Sequence, residues 1–342
     1  MRIALRLASR NLGITWPNPS VGALIVKDGR IVGQGITARG GRPHAETEAI
    51  AQAGENARGA TLYVTLEPCS HHGQTPPCAE AIIKAGIARV YIACSDPNPL
   101  ISGRGIALLR QAGIDVMEQL CEAQALELNR GFFSVISKGR PFVALKIASS
   151  MDGKIAYPPL PAGEGPRWIT GEQSRAYGHL LRSRYDAIAT GIGTVLADDP
   201  LLTCRLSGLE DRSPVRVVFD RQGRLPKDSN LMKTQADVPV WTLTSPSPAQ
   251  RERGLKDALS HLANRGITRL LVEAGAELST AFLQSGLVDR IYWFRAPLMI
   301  GNDGLAAITG GFDPQRWETL ETRYFGSDSL SILQCSPASS PI

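Results

Sequence analysis

Apolar residues along this chain follow two periods, and the period switches often. In SVGALIVKDGRIVGQG, two β-rich runs flank Asp28-Gly29, a pair suited to a tight hairpin turn. HAETEAIAQAG then reads as a helix closed by Gly54, and ATLYVTL as a strand. PPCAEAIIKAG opens on prolines and ends on Gly86, the usual asymmetry of a helix. ARVYIAC, GIALLRQAG and IDVME continue as strand, helix and short strand, and a further helix is expected from about Cys121 to Ser137. Ahead of all these, Ile3, Leu5, Leu7, Ala8 and Leu12 mark an amphipathic helix.

The second half restarts the alternation. PFVALKIASS, YDAIATG, VRVVFD, VPVWTLT, RLLVEAG and RIYWFRAPLMI read as strands, with helices near Arg251–Arg265 and Leu278–Ser285. A Pro/Gly-rich loop, YPPLPAGEGPR, precedes a helix that Thr170 and Gln173 would open as a capping box. The tail SPASSPI is expected to be disordered. Such alternation predicts an α/β fold with parallel pairing beyond the first hairpin. The junction is expected at Gly139-Arg140-Pro141, giving domains 1–139 and 140–342, with no internal repeat between them.

Composition narrows the function. A chain of 342 residues is long for one domain and suits two, and 43% apolar with 20% charged residues is that of a globular protein. The net charge of +5 is not gathered into a run, and aromatics are only 6%, so a strand-gripping nucleic-acid surface is not expected. Anionic small molecules suit the mild excess. Arg6 and Arg10 interrupt the first apolar stretch, so it is not read as a signal peptide, and no uninterrupted apolar segment of about 18 residues predicts a membrane span. The six cysteines do not form a dense framework, so a cytoplasmic, reduced protein is expected, assembling as a homo-oligomer.

The most concentrated chemistry lies in TLEPCSHHGQTPPC, residues 65–78. Cys69 follows a strand, Cys78 begins a helix, and His44 and Glu46 open another helix. Strand carboxyl ends and helix starts converge in α/β sheets. One imidazole and two thiolates make a zinc-binding set, and three protein ligands leave a fourth position for water, as in catalytic sites. Glu46 would then move protons. The pattern is that of zinc deaminases, H-x-E with P-C…C, here with eight residues between the cysteines. Two other readings stay open: a closed structural site with His71 or His72 as fourth ligand, part of a nucleotide sensor, or a deaminase of nucleic-acid bases.

NPSVGALIVKDGRIVGQG, HAE, YVTLEPCSHHGQTPPC and DPNPLISGRG together resemble the bifunctional deaminase/reductase of riboflavin biosynthesis. The resemblance implies a cytidine-deaminase-like α/β/α domain in which His44, Cys69 and Cys78 hold Zn2+, Glu46 carries protons, and Asn18 and His71 line the pocket for a phosphorylated pyrimidine. Two positions depart from the family pattern: Gln74 replaces a cation, and Glu48 replaces Asn or His.

In the second half, LLVEAGAELSTAFLQSG is a strand, a glycine turn and a helix, which reads either as an ordinary strand–helix turn or as a pyrophosphate site built from the N–H groups of Gly275 to Thr280. Arg182 and Arg205 would clamp a substrate phosphate. Arg221, after VRVVFD, is assigned to a cofactor 2′-phosphate. LKIASSMDGKIA, RWITGEQSR, TGIGTVLADDPLLTCR and VEAGAELSTAFL resemble the reductase domain of the same family, which is similar to dihydrofolate reductase in fold. The resemblance implies NADPH contacts from Ala148, Trp168, Thr194, Asp198 and the turn Gly275, Ala276, Glu277, Leu278, Ser279, Thr280 and Ala281. Arg182, Leu202, Arg205 and Glu273 would contact the ribosylaminouracil substrate, as would position 166, where the family's Ser is Pro166.

Overall fold

Asp28 and Gly29 both take positive φ, the backbone that a two-residue hairpin turn demands. They join β1 (Gly22–Lys27) to β2 (Arg30–Ile36). The computed structural model describes residues 1–72, 76–98, 102–158, 168–244, 249–310 and 317–335, with the main chain alone over 249–253. It divides into two units, Met1–Arg140 and Pro141–Ile342, one residue beyond the expected junction.

In the first unit, α1 (Arg2–Ser9) precedes the hairpin, and α2 (Ala45–Ala53), β3 (Thr61–Val64), α3 (Cys78–Lys84), β4 (Arg89–Ile92), α4 (Arg104–Gln111), β5 (Asp115–Met117), α5 (Glu122–Leu128) and α6 (Arg130–Lys138) follow. The sheet order is β2-β1-β3-β4-β5, antiparallel through the hairpin and its pairing with β3, parallel beyond. β1 divides its side chains between two faces as a strand must. Ala23 and Ile25 join the core under α2 and α3, while Leu24 packs against Ala4 and Leu7 of α1. The helix expected over 121–137 is instead two. It breaks at Asn129, whose buried side chain accepts from Ser20 N–H (3.0 Å) and donates to Ser20 O (3.2 Å). A side chain that satisfies a distant backbone outweighs helix continuity here.

The seat of α2 is set by glycines. A Cβ on Gly33 would lie 2.2 Å from Ala49 O, and one on Gly35 only 2.0 Å from Ala45 O. Helix backbone thus rests directly on strand backbone. Glu48 and Gln52 on the same helix accept from Ile36 N–H (3.3 Å) and Gln34 N–H (2.7 Å), giving the β2 edge the partners it lacks within the sheet. Glu48, which departs from the family pattern, is therefore used in holding α2 to β2.

The second unit contains β6 (Phe142–Ser150), β7 (Lys154–Ala156), α7 (Glu172–Arg182), β8 (Ala187–Gly191), α8 (Ile192–Asp198), β9 (Val215–Phe219), α9 (Asn230–Lys233), β10 (Val240–Leu243), α10 (Ala249–Asn264), β11 (Arg269–Val272), α11 (Ala276–Gln284), β12 (Arg290–Ala296), β13 (Leu305–Ala306), β14 (Trp317–Phe325) and β15 (Asp328–Cys335). Its main sheet runs β10-β9-β8-β11-β6-β12-β15-β14, parallel as far as β12 and antiparallel for the last hairpin. β7 and β13 form a separate pair. The expected Thr170–Gln173 capping box is absent. Gly171 is the N-cap of α7, and Asp328 replaces the box by accepting from Gly171 N–H (2.7 Å) and Ser174 O–H (2.6 Å). The tail 336–342 lies outside the described residues.

A Gly35→Ala variant tests the seat of α2. Overpacking of this kind costs about 2 kcal/mol, and the displaced backbone is that of Ala45, beside His44. We expect a lowered thermal unfolding transition together with reduced zinc content by metal analysis. Full zinc loading with an unchanged transition would show that the helix position is not set by this contact.

Candidate active site

α2 and α3 bring their first turns to the end of β3. His44 is the N-cap of α2 and Cys78 is the first residue of α3, while Cys69 lies on the loop that leaves β3. Their ligand atoms lie within 4.8 Å of one another. His44 Nδ1 is 3.3 Å from Cys78 Sγ and 3.7 Å from Cys69 Sγ. A tetrahedral zinc bonded at about 2.3 Å to sulfur and 2.0 Å to nitrogen separates such atoms by roughly 3.6 Å. The three residues thus fit zinc in both chemistry and spacing.

Polar partners already favour the ligating form of one cysteine. Cys69 is drawn down to about 4, first by a hydrogen bond from the Cys78 thiol, then by His44 and by Cys78 N–H, which donates to Cys69 Sγ at 3.3 Å. The Cys78 thiol is correspondingly raised as the donor. Glu46, on the first turn of α2, is 4% exposed and lies beside the Cys78 thiol. Burial pushes its carboxyl up to about 7.

Around this centre, Asn18 donates to Gly41 O (2.9 Å) in the loop that leads into His44. Gly41 has φ +86 and a Cβ there would strike the Asn18 amide, so the two residues hold that loop as one piece. His71 is exposed and faces Asp96. His72 pairs with Glu80 at 2.9 Å, and neither histidine joins the ligand cluster among the described residues. Gln74 lies outside the described residues.

Glu67, in the same TLEPC segment, was not singled out from sequence. It is buried, and its carboxylate accepts from the backbone N–H groups of Asp96, Gly103, Gly105 and Ile106 at 3.0–3.4 Å. It thereby caps the start of α4 and anchors the loop that carries Cys69. The signal was present as an acid flanked by DPNPLISGRG further along, but only the fold shows that they meet.

In the second unit, two of the expected reductase residues, Arg182 and Glu273, meet just beyond β11. Glu273 follows β11 and receives both forks of Arg182, Nε to Oε1 at 2.8 Å and Nη2 to Oε2 at 2.9 Å, with Lys146 Nζ at 3.5 Å. Burial opposes the charge of Glu273, but Arg182 and Lys146 outweigh it and hold the carboxyl well below the usual range. Arg182 Nη1 also donates to Thr203 O at 3.0 Å. The guanidinium of Arg182 thus has three of its five N–H donors engaged within the protein. Arg205 is exposed beside it, where the positive charge of Arg182 depresses the Arg205 guanidinium after burial. Lys146 went unrecognised because one lysine in a strand has no local signal.

The helix starts of α8 and α11 are tied together where Gly275 N–H donates to Thr194 Oγ1 at 3.2 Å. In the turn 275–281, Ser279 donates to Ala274 O and Thr280 accepts from Thr309 N–H, so both hydroxyls serve the fold. Ala276 is buried, Leu278 and Ala281 are half-buried, and Glu277 is exposed. Ala148 is half-buried near the end of β6, and Asp198 is exposed at the end of α8. Leu202 is buried in the core with φ +53. Trp168 is 65% exposed, with the Arg175 guanidinium 5.1 Å from its ring centre. Arg221 is exposed after β9. Pro166 lies outside the described residues. No helix among the described residues is long and apolar enough to cross a membrane.

Comparison with known proteins matches each unit to a different domain type. Residues 1–94 match the cytidine and deoxycytidylate deaminase zinc-binding region, and residues 141–331 match the RibD C-terminal domain. Riboflavin biosynthesis protein RibD of Aquifex aeolicus (strain VF5) is 43% identical over 320 residues, covering 90% of this chain and 88% of the relative. That of Escherichia coli (strain K12) is 42% identical over 358 residues, 96% of each chain. Among solved structures, Acinetobacter baumannii RibD superposes with a TM-score of 0.88 at 40% identity over 98% of both chains. A diaminohydroxyphosphoribosylaminopyrimidine deaminase/5-amino-6-(5-phosphoribosylamino)uracil reductase from Thermotoga maritima gives 0.86 at 38% identity, over 98% of this chain and 97% of that one. The first unit therefore has the cytidine-deaminase-like fold and the second the dihydrofolate-reductase-like fold, and the chain belongs to the RibD family of bifunctional riboflavin biosynthesis enzymes.

Proposed function

We propose that unit Met1–Arg140 hydrolytically deaminates a phosphoribosylated diaminopyrimidine and that unit Pro141–Ile342 reduces the ribosyl chain of the product with NADPH, giving a ribitylaminouracil phosphate. Supporting this assignment are the family of the chain and the match of each unit to its own domain type. The cytoplasmic address and self-association expected from the sequence belong to the same proposal.

His44, Cys69 and Cys78 would hold the zinc ion. When bound, zinc supplies the Lewis acidity that makes a water molecule acidic near neutral pH. Glu46 would take one proton from the attacking water and pass it to the ring. Glu46 would next take the proton of the added hydroxyl and give it to the amine, which leaves as ammonia as the carbonyl forms on the ring carbon. The buried position of Glu46 beside the ligands is the observation that carries this reading. A structural zinc site has no use for such a group, and His72, one candidate for closing the site, is engaged with Glu80.

In the second unit, NADPH supplies the hydride when bound. The paired N-termini of α8 and α11, joined through Thr194 and Gly275, would receive it, together with Ala148, Trp168, Asp198 and residues 276–281. Arg221 would meet the 2′-phosphate. Arg205 would contact the substrate phosphate, with Leu202, Glu273 and position 166 along the same molecule. Arg182 would act chiefly through Glu273 and Thr203, keeping a carboxylate and the 203–205 loop in register.

A Glu46→Gln variant tests the deaminase assignment. Zinc content should match the wild type, ammonia release should fall at least about 100-fold, and NADPH oxidation with the deaminated substrate supplied should be unchanged. Ammonia release at the wild-type rate would exclude Glu46 as the proton carrier and favour the structural-zinc reading.

For the reductase, Glu273→Gln leaves Arg182 and Lys146 without their counter-charge. Loss of one partner of a buried pair costs about 3 kcal/mol, so unfolding of this unit should shift to lower denaturant while ammonia release persists. Because the folded-state carboxyl is depressed, its contribution is present above the unfolded value near pH 4.3 and is lost as pH falls towards the folded value. The stability gap between wild type and variant should therefore narrow below about pH 4 in denaturant titrations. A gap that is constant with pH would exclude the ion pair as its source.

A further inference from the structure

Arg216 on β9 is 0% exposed, yet no carboxylate accepts from it among the described residues. A buried cation without a paired anion is costly unless its donors are otherwise satisfied. Its guanidinium is spread over backbone and hydroxyl acceptors of two different segments. Nη1 donates to Leu201 O (3.2 Å) and Thr234 Oγ1 (2.7 Å), and Nη2 donates to Thr234 O (3.0 Å) and Val238 O. Nε is buried without a partner. Burial lowers its guanidinium, and the charge of Asp237 opposes that shift.

These acceptors have a common geometry. Thr234 is the C-cap of α9, where helix carbonyls lack partners and attract a cation. The other end of α9 grips the same loop: Asn230 N–H donates to Asp199 Oδ1 (2.7 Å), and Asn230 Nδ2 donates to Asp199 O (2.9 Å). Helix α9 is thus a brace. One end holds Asp199 directly, and the other holds Leu201 through Arg216. Asp199, itself an anchor, and Leu202, one residue past the other anchor, take φ +39 and +53, a left-handed region that Asp tolerates and that is costly for Leu. Thr203 O is held from the far side by Arg182 Nη1 and lies 3.1 Å from His179 Nδ1. Further along, Cys204 N–H donates to Ser213 Oγ (3.0 Å) and the backbone N of Arg205 lies 3.3 Å from the same His179 Nδ1, so the anchors run up to Arg205 itself.

We infer that Arg216, with Asn230 at the opposite end of α9, is a positioning residue of the reductase: it presses the Asp199–Leu202 turn into its left-handed course and so places Leu202 and Arg205 for the phosphorylated ribosylaminouracil. The inference rests on the proposed assignment of those two residues to that substrate. Arg216 is too deep to touch a ligand, so its effect passes wholly through the loop. A lysine presents a single point of donation and cannot bridge both segments.

Steady-state kinetics on Arg216→Lys, Asn230→Ala and Arg205→Ala in the full chain provide the test. Loss of one or two well-made hydrogen bonds should raise KM for the ribosylaminouracil phosphate about tenfold in both brace variants, with kcat, KM for NADPH and ammonia release within about twofold of wild type. A merely structural role would instead lower the thermal transition and the active fraction, reducing kcat at unchanged KM, and that result overturns the inference. Should Arg216→Lys fail to fold, Asn230→Ala at the half-buried end of the brace decides alone: an unchanged substrate KM refutes the inference, a raised one upholds it. Arg205→Ala separates the two levels. If it raises substrate KM while the brace variants do not, only the role of the brace falls. If folded Arg205→Ala leaves KM unchanged, the assignment of the loop to the substrate falls, and the inference with it.

Discussion

Backbone meets backbone where α2 crosses β2, and the first site depends on it. Gly33 and Gly35 leave no room for a side chain between strand and helix, so α2 has one available depth and one angle. His44 caps that helix and Glu46 lies on its first turn, so both are fixed by the same contact. A second approach of this kind fixes the other side. A Cβ on Gly105 would lie 2.0 Å from Pro68 O and 3.3 Å from the Glu67 carboxylate, and Pro68 precedes Cys69. Two of the three ligands are thus placed by what glycine omits. A metal site needs its donors within a few tenths of an ångström, and direct main-chain contact is a stiffer spacer than any pair of side chains.

The second unit relies on charge where the first relies on close approach. Asp186 joins the starts of β8 and β11 by accepting from Thr268 N–H and O–H and from Arg269 N–H. Asp328 caps α7 from β15, and Glu273 gathers Arg182 and Lys146 at the end of β11. Each carboxylate ties together elements distant in sequence. That suits a wide parallel sheet, in which neighbours are rarely consecutive and a local signal cannot specify which strand lies beside which.

This contrast explains how far the sequence could be read. The zinc set was legible because His44, Cys69 and Cys78 are uncommon residue types at helix starts and a strand end, and the hairpin at Asp28-Gly29 because its turn chemistry is local. Glu67 and Lys146 were not, since their roles exist only once Gly103, Gly105 or Glu273 arrive from elsewhere. The same reason separates the expected helix over 121–137 from the observed pair: Asn129 abandons the helix for Ser20, more than a hundred residues earlier. The Thr170 capping box failed to Asp328, from strand β15, a competitor that the local sequence does not reveal. The β14–β15 hairpin was missed because most of β14 is exposed and carries little apolar alternation. The pairing of Arg182 with Glu273 is likewise invisible in the sequence, since the two lie 91 residues apart.

Two glutamates show what environment adds to residue type. Glu46 and Glu273 both sit at the starts of helices or the ends of strands, and both are withdrawn from water. For Glu46, desolvation, helped by the neighbouring Cys69, prevails over its own backbone N–H, His44 and the Cys78 thiol, and the carboxyl rises. Glu273 has two cations, so the charged form prevails against the same desolvation. A group with its two protonation states nearly balanced is suited to exchange protons, whereas one locked in its charged form is suited to orient cations and hold a loop. The proposed division of labour follows from what faces each carboxylate: proton transfer would fall to Glu46 beside His44 and the cysteines, and at Glu273 the protein would supply fixed charge and position while the hydride comes from the cofactor.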